Sequence, residues 1–343
     1  MKRLLNTLYV TTEGAYLARE RETVVVKMKD QPSFRIPIHT LSGIVCIGRV
    51  ACSPPLMGLC ADRNVAISFL TEHGRFIARV TGPVSGNVLL RRTQYRWADD
   101  SIKTADVARN IVIAKVVNSR AVLSRSLRDY RDRIDQVAIE RVINRYDQIL
   151  EQLLTCSDVD QIRGFEGEAA RLYFGVFDWL IVAQKEAFYL KGRNRRPPLD
   201  NMNALLSFLY TLLMHDVGSA LETVGLDPAV GFLHRDRPGR PSLALDLMEE
   251  FRSFIADRLA LTCVNRKQIQ SDGFERSEAG AVVMKDETRK TIISAYQKRK
   301  MDEIEHPYLG EKVPIGLLMH VQAMLMARYL RGDIDEYPPY MWR

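Results

Sequence analysis

Residues 65–83 read VAISFLTEHGRFIARVTGP, and this stretch decides the fold class. Its two apolar runs, 65–70 and 76–80, have the length and the β-branched content of strands, with a turn at His73-Gly74 between them. Gly82-Pro83 then interrupts the pattern, and beyond it apolar residues recur at helical spacing. The stretch therefore predicts a boundary between a β-rich region and an α-helical region.

Upstream of this boundary the chain has the pattern of a small β domain. Further short runs alternate or are rich in β-branched residues, and turn residues separate them: 8–11, 15–19, 23–28, 34–38 and 43–47. Ser53-Pro54-Pro55 predicts a helix over 56–62, since serine caps helices and proline suits their first turn. We predict a β-rich, β-sandwich-like domain over residues 1–83.

Downstream of the boundary the apolar spacing predicts helices. We predict a linker or first helix over residues 84–100 and an all-α domain over residues 101–343. Asp200 is positioned to cap a helix over 203–213, and the strongest apolar helix covers 315–329. The fold class is thus α+β, with a small N-terminal β-rich domain followed by a larger helical domain.

The composition is that of a globular protein with an excess of positive charge. The 343 residues are 46% hydrophobic and 27% charged, and 49 Lys and Arg against 42 Asp and Glu give a formal net charge of +7. The first 100 residues hold 14 basic and 8 acidic side chains, and therefore nearly all of the excess. This balance excludes an acidic solvating protein and favours a polyanionic partner such as nucleic acid.

The cysteines and the apolar runs indicate the compartment. There are five cysteines, an odd number, and none forms a Cys-x-x-Cys pair, which argues against a disulfide framework or a cysteine zinc site. We find no uninterrupted apolar stretch of membrane-spanning length, and the N-terminus lacks the long apolar run of a signal peptide. We therefore expect a cytoplasmic protein with no membrane partner.

Residues 234–252, HRDRPGRPSLALDLMEEFR, combine an arginine-rich loop with an acidic helix. Ser242 is predicted to cap this helix. At about 100° per residue, four carboxylates share one face opposite the apolar residues: Asp246, Glu249, Glu250 and Asp257. A bound cation would relieve their mutual repulsion, although a solvated acidic face explains the same pattern.

Two further residues fit a divalent metal site. His234 precedes the acidic helix, and a neutral imidazole with carboxylates suits Mn²⁺, or Mg²⁺ through the oxygens. Glu166 lies between Gly164 and Gly167 in a helical stretch, where the glycines favour a close approach of nucleic acid. An ordinary surface histidine and a plain helix–helix contact are the alternatives. Carboxylates that hold a divalent ion are typical of phosphodiester chemistry.

Three functions stay open on these residues. The first is a metal-dependent DNA nuclease or integrase, supported by basic and aromatic residues at 91–97 and basic runs at 191–196 and 298–300, although such runs are more often solvated surface. The second is a catalytically silent nucleic-acid-binding scaffold. The third, a metallohydrolase of a small phosphate ester, is disfavoured by the basic N-terminal third and by the absence of a P-loop.

Five motifs, taken together and in this order, resemble one known family. They are RGFEGxAAR (163–171), NALLxxxY (203–210), GLDP (225–228), GFLH (231–234) and SLxxDLxExFR (242–252). The chain is similar over nearly its whole length to the CRISPR-associated endonuclease and integrase Cas-one (Cas1), of subtype I-C. The resemblance implies a homodimer with a dimerising β domain and a helical catalytic domain. It also implies a partner, Cas-two (Cas2), with which the chain inserts new spacers into a CRISPR array in antiviral defence.

The resemblance assigns roles residue by residue. Glu166, His234 and Glu249 match the catalytic metal ligands of the family, for Mg²⁺ or Mn²⁺, although some members have Asp at the last position. Four positions match near-site or supporting residues: Asp246, Asn203, Tyr210 and Arg252. Seven arginines in or near the motifs are predicted to contact double-stranded or branched DNA: Arg163, Arg193, Arg195, Arg196, Arg235, Arg237 and Arg240. The implied reaction is a transesterification by a 3′-hydroxyl, and with water the same site cleaves DNA.

Overall fold

The computed structural model describes residues 6–28, 31–63, 65–71, 76–80, 82, 88–194, 197–278 and 280–342. The chain forms two compact units, Met1–Gly86 and Asn87–Arg343. The first unit is rich in strands and the second is rich in helices, which confirms the α+β class in outline.

The described part of the first unit contains two four-stranded sheets and a helix. Its elements are β1 (Asn6–Val10), β2 (Tyr16–Glu20), β3 (Thr23–Met28), β4 (Gln31–Pro37), β5 (Leu41–Ile47), β6 (Ala51–Cys52), α1 (Pro54–Asp62), β7 (Ala66–Leu70) and β8 (Phe76–Val80). The sheet orders are β1-β5-β7-β8 and β4-β3-β2-β6. In the first sheet β1, β5 and β7 are parallel and β8 is antiparallel to β7.

Apolar side chains from both sheets and from α1 share one core in this unit. Leu17, Ile44 and Leu56 are fully buried in it. Ser53 caps α1 as predicted, because its Oγ accepts a hydrogen bond from the backbone N–H of Leu56 at 3.4 Å. The β-branched runs of the sequence therefore supply the apolar faces on which this unit folds.

The second unit is built from helices and two short hairpins, so the prediction of an all-α domain is wrong in this detail. Its elements are α2 (Val88–Asp99), α3 (Ser101–Tyr130), α4 (Gln136–Thr155), α5 (Val159–Val176), α6 (Asn201–Val224), α7 (Ser242–Met248), α8 (Arg258–Asn265), β9 (Phe274–Arg276), β10 (Val282–Met284), α9 (Asp286–Met301), β11 (Glu303–Glu305), β12 (Lys312–Pro314) and α10 (Ile315–Arg331). The long helix α3 packs against α4, α5 and the segment that follows α7. This packing brings distant charged residues together.

Helix α6 lies in the centre of the second unit. Asp200 caps it as predicted, accepting from the backbone N–H of Asn203 at 2.7 Å, and Gly225 ends it in the left-handed conformation. Helix α6 is long and apolar enough to cross a membrane by length and composition alone. However, 72% of its most apolar window is buried inside the protein, as in a core helix.

Candidate metal-binding active site

Three segments of the helical unit bring charged side chains to one buried place. Lys115 lies in the middle of α3, Glu166 lies in α5, and Glu249 lies in the turn after α7. The ammonium Nζ of Lys115 contacts the Glu166 carboxylate and lies 2.9 Å from Glu249 Oε2. Two of the three predicted metal ligands therefore share one cation.

The Glu249 carboxylate is ionised inside the protein. Only 1% of its side chain is exposed, and this burial alone would raise its pKa. Arg252, Lys115 and His234 outweigh burial and lower the pKa of Glu249 to about 2, and Arg252 Nη1 lies 3.0 Å from Glu249 Oε1. Among the described residues, neither Glu249 oxygen receives a hydrogen bond of good geometry. Its two oxygens are thus held by the Lys115 and Arg252 cations rather than by well-aligned hydrogen bonds.

Sequence reasoning missed Lys115. It interrupts the apolar run IVIAKVV at 111–117, which the helical spacing places inside the domain. A lysine at such a position needs charged partners, and this signal could have marked it as a site residue. Burial would lower the pKa of its ammonium, but Glu249 and Glu166 raise it above the ordinary value, so Lys115 is protonated.

His234 is held in a fixed orientation by Asp246. The ring Nδ1 lies 2.6 Å from Asp246 Oδ1, and since a carboxylate accepts, we assign the proton to Nδ1. The lone pair of Nε2 is then available to a metal, as in other carboxylate–histidine pairs at metal sites. The side chain is 20% exposed, so a ligand can reach the ring.

Asp246 also fixes the loop that carries His234. Its Oδ2 accepts hydrogen bonds from the backbone N–H groups of Phe232 and Leu233 at 2.6 and 2.9 Å. Its Oδ1 accepts another from the backbone N–H of His234 at 2.8 Å. Asp246 is fully buried, and these donors offset the cost of burying its charge. The structure therefore places Asp246 behind His234 rather than beside Glu166 and Glu249.

Gly231 allows the His234 loop to approach α7 closely. A Cβ at this position would lie 2.8 Å from Asp246 Oδ2 and 2.8 Å from the Ser242 backbone. We predict that Gly231→Ala lowers the free energy of unfolding by about 1–3 kcal/mol, because backbone or Asp246 must shift. Urea unfolding would measure this, with Gly175→Ala as the control, since a Cβ there meets nothing within 4 Å. Equal stability of the two variants would contradict the prediction.

The sequence predicted one continuous acidic helix in this region, and that prediction is wrong. Helix α7 ends at Met248, the chain turns, and Arg252–Asp257 form a π-helical stretch before α8. This changes the angular spacing, so the carboxylates face different partners. All four carboxylates of the predicted face are buried, with at most 1% of each residue exposed: Asp246, Glu249, Glu250 and Asp257. Ser242 does not cap α7 either, because its Oγ donates to the Arg235 carbonyl at 3.2 Å.

The glycines beside Glu166 do not serve a helix–helix contact. Helix α5 runs through Gly164 and Gly167 without a break. A Cβ added at either glycine would meet no atom of the described residues within 4 Å. Open space therefore lies on both sides of Glu166, which agrees with the predicted close approach of another molecule.

The family model for CRISPR associated protein Cas1 matches residues 8–298, which is most of the chain. The chain belongs to the Cas1 family. It is 57% identical over 343 residues to the CRISPR-associated endonuclease Cas1 1 of Chlorobaculum tepidum, with 100% of both chains covered. The recognised motifs thus identified the family correctly.

Two solved structures share the fold of this Cas1 chain. A casposase bound to integration product has a TM-score of 0.84 and 22% identity, with 99% of this chain and 95% of that chain covered. A Cas6-RT-Cas1–Cas2 complex has a TM-score of 0.83 and 21% identity, with 100% of this chain and 36% of that chain covered. At these identities the likeness shows the fold alone.

The residues present in the Cas1 site fit a divalent cation. Among the described residues, no three His, Cys, Asp or Glu side chains already form a cluster that could hold a metal. However, Glu166 and Glu249 already hold a cation between them, the Lys115 ammonium. Carboxylate oxygens with one imidazole are a donor set that suits Mg²⁺ or Mn²⁺. His234 would complete this set through Nε2.

Three of the arginines predicted to contact DNA lie in the loop after His234. Arg235 is 67% exposed, Arg237 is exposed and Arg240 is half-buried. With Tyr95 and His234, Arg235 lines a cleft of about 400 Å³. The predicted histidine ligand is therefore reached from an open cleft, which Asp99 and Asp236 also line.

Of the other predicted DNA contacts, Arg163 lines the same cleft and the rest lie elsewhere. Arg163 Nε donates to the carbonyl of Leu233 at 2.6 Å and so holds the His234 loop. Arg193 Nη1 donates to Asn203 Oδ1 at 2.6 Å, inside the helical unit. Two arginines are outside the described residues: Arg195 and Arg196.

The supporting positions Asn203, Tyr210 and Arg252 lie inside the helical unit, where hydrogen bonds and ring contacts connect them to their neighbours. Asn203 is fully buried at the start of α6. Tyr210 donates from its hydroxyl to Asp257 Oδ1 at 2.6 Å. The guanidinium groups of Arg193 and Arg252 each lie 5.1 Å from the Tyr210 ring centre. These contacts fix the position of Arg252, which in turn pairs with the ionised Glu249 carboxylate.

The C-terminal tail is fastened to the turn after α7. The buried Glu250 carboxylate accepts hydrogen bonds from Tyr337 OH at 2.6 Å, Gln322 Nε2 at 3.0 Å and the backbone N–H of Tyr340 at 2.8 Å. The tail thus closes the core beside the metal-binding residues, a role that the sequence did not suggest. Burial raises the pKa of Glu250 to about 7 despite these donors.

Glu250 makes the stability of the protein depend on pH. Between pH 4.5 and about 7 the folded state binds a proton that the unfolded state has lost, so the free energy of unfolding falls as pH rises. Glu250→Gln should remove this fall, which amounts to up to about 3 kcal/mol. Urea unfolding in EDTA at about pH 5 and about pH 8 would measure it. A variant with the same pH dependence as wild type would contradict the assignment.

Proposed function

We propose that this Cas1 chain is a metal-dependent DNA endonuclease and integrase that inserts spacers into a CRISPR array. The observation that supports this most strongly is the Glu166–Glu249 pair, in which two carboxylates from different segments share one cation. The ring of His234, which Asp246 orients, would add a nitrogen ligand to these carboxylates. Such a donor set suits phosphodiester chemistry, which needs a divalent ion at the reacting phosphate.

In the proposed reaction, the 3′-hydroxyl oxygen of an incoming DNA attacks a phosphorus atom of the array strand. The new P–O bond forms as the bond to the original 3′ oxygen breaks, and the proton of the attacking hydroxyl passes through solvent to the leaving oxygen. A bound Mg²⁺ or Mn²⁺ would lower the pKa of the attacking hydroxyl and neutralise charge on the phosphate. Water in place of the hydroxyl gives cleavage.

The residues of the chain have separate tasks in this reaction. Glu166, Glu249 and Nε2 of His234 would hold the ion, while Asp246 keeps the ring in the required tautomer. The exposed arginines of the His234 loop would contact DNA phosphates. DNA binding should therefore weaken steeply as the salt concentration rises.

The solved structures of the same fold support the choice of substrate and partner. One is a casposase bound to integration product, and the other is a complex that contains Cas1 and Cas2. By analogy we propose double-stranded and branched DNA, namely the array and the incoming spacer, as substrates and Cas2 as the partner. We further propose a cytoplasmic homodimer of subtype I-C that dimerises through the N-terminal β-rich unit.

A strand-transfer and cleavage assay tests this function. Wild-type protein, with and without Cas2, would be incubated with linear and branched duplex DNA in Mg²⁺, Mn²⁺ or EDTA. We expect joined and cleaved products with a metal ion and none in EDTA. Products in EDTA would overturn the metal dependence. DNA binding without any product, in both metals and with Cas2, would instead establish a silent scaffold.

A further inference from the structure

Lys115 is a buried cation that the proposed reaction does not use. Its side chain is 11% exposed, and its ammonium contacts Glu166 and Glu249. A buried ammonium persists only where charged partners replace its water. Arg252 contacts the same Glu249 carboxylate from a second direction. The buried pair of carboxylates is therefore matched by two cations of the chain itself.

These four charged groups carry no net charge among them, and Asp257 is a further acidic residue of the same cavity. Glu166 and Glu249 supply two negative charges, and Lys115 and Arg252 supply two positive ones. A divalent ion at the same oxygens would be repelled by both cations, and this repulsion is strong in the buried site because little water screens it. Arg252 is fixed beside the ring of Tyr210, whereas the ammonium of Lys115 ends a flexible stem. Lys115 is thus the cation that can move.

We propose that Lys115 is a built-in counter-cation, whose ammonium occupies the Glu166–Glu249 pair in the metal-free protein and leaves it when a divalent metal ion binds. This inference rests on the proposed metal site. The pair itself lines a cavity of about 40 Å³, and Ser119 and Asp257 line other parts of it. It has room and polar groups for a displaced ammonium.

The exchange couples metal affinity to the stability of the metal-free protein. Lys115 keeps the two carboxylates from repelling each other before a metal ion arrives, so it stabilises the empty site. The same contacts must be broken when the ion binds, so Lys115 weakens metal binding. Removal of the charge should therefore change the two quantities in opposite directions.

Lys115→Met tests the proposal, because methionine keeps most of the length of the stem and removes the charge. Loss of the EPR signal of free Mn²⁺ would report binding, and thermal unfolding would be recorded in EDTA. We expect Mn²⁺ to bind at least about tenfold more tightly than to wild type, and the unfolding midpoint in EDTA to fall. Lys103→Met, which removes the same charge from the exposed start of α3, should leave Mn²⁺ binding unchanged.

The outcomes separate this inference from the proposed function. Unchanged or weaker Mn²⁺ binding by Lys115→Met would overturn the inference, while Mn²⁺ binding by wild type would leave the metal site standing. No Mn²⁺ binding by wild type would overturn both. If Lys115→Met does not fold, Lys115→Gln allows the same comparison with the same two outcomes, since glutamine is neutral but can donate to the carboxylates.

Discussion

The His234→Ala variant is expected to lose strand transfer and DNA cleavage by more than about 100-fold. Substitution of a residue that only orients a metal ligand typically lowers activity by about 10–100-fold, and loss of the ligand itself should cost more. Alanine removes the Nε2 lone pair that would bind the metal ion. It leaves three backbone N–H groups bonded to Asp246, so the loop keeps its position. The variant should therefore remain folded. Rates in Mg²⁺ and Mn²⁺ with Cas2, together with circular dichroism, would check both expectations.

His39→Ala is the control for this experiment. His39 is exposed and belongs to the β-rich unit, so its loss should leave both reactions unchanged. A similar loss in both variants would indicate a general defect rather than a missing ligand. A wild-type rate in His234→Ala would contradict the assignment of His234 as a metal ligand.

Asp246→Ala is expected to lower the free energy of unfolding by about 3–5 kcal/mol and to weaken Mn²⁺ binding by about 10–100-fold. The substitution removes the carboxylate that accepts hydrogen bonds from four donors: the backbone N–H groups of residues 232–234 and the His234 ring. Buried donors without a partner are costly, and the freed ring can turn away from the site. Urea unfolding in EDTA and an Mn²⁺ titration would measure the two effects separately.

Asp236→Ala is the matched control, since Asp236 lies in the same loop but is exposed. It accepts one long hydrogen bond, from the Gly231 N–H at 3.4 Å. We expect it to change neither stability nor metal binding by a comparable amount. Metal binding by Asp246→Ala at the wild-type level would contradict the positioning role of Asp246, even if the protein were less stable.

The secondary structure was predictable wherever a local rule decides it. Ser53 and Asp200 cap helices at the predicted positions, because a cap is an interaction between neighbouring residues. The order of the strands in two sheets was not predictable. Strand β1 pairs with β5 across intervening strands that belong to the other sheet, and no local pattern encodes that choice.

The ligand set came from the motif resemblance, and the structure brings Glu166 and Glu249 together as that set requires. Their metal binding itself stays a prediction. The surroundings were harder to predict, because they depend on contacts between distant residues. The burial of Glu250, for example, depends on Gln322 and Tyr337 near the end of the chain. A helical wheel shows none of these contacts, and therefore could not decide between a bound cation and a solvated acidic face.

A comparison of the neighbours Glu249 and Glu250 tests the claim that the Glu166–Glu249 pair is the metal site for strand transfer. Both are buried, but Glu249 contacts Lys115 whereas Glu250 binds the C-terminal tail. Strand transfer by Glu249→Gln and Glu250→Gln would be measured in Mg²⁺ under conditions where both are folded. We predict a loss of more than about 100-fold in Glu249→Gln and a rate near that of wild type in Glu250→Gln. Equal rates in the two variants, or a loss confined to Glu250→Gln, would contradict the claim.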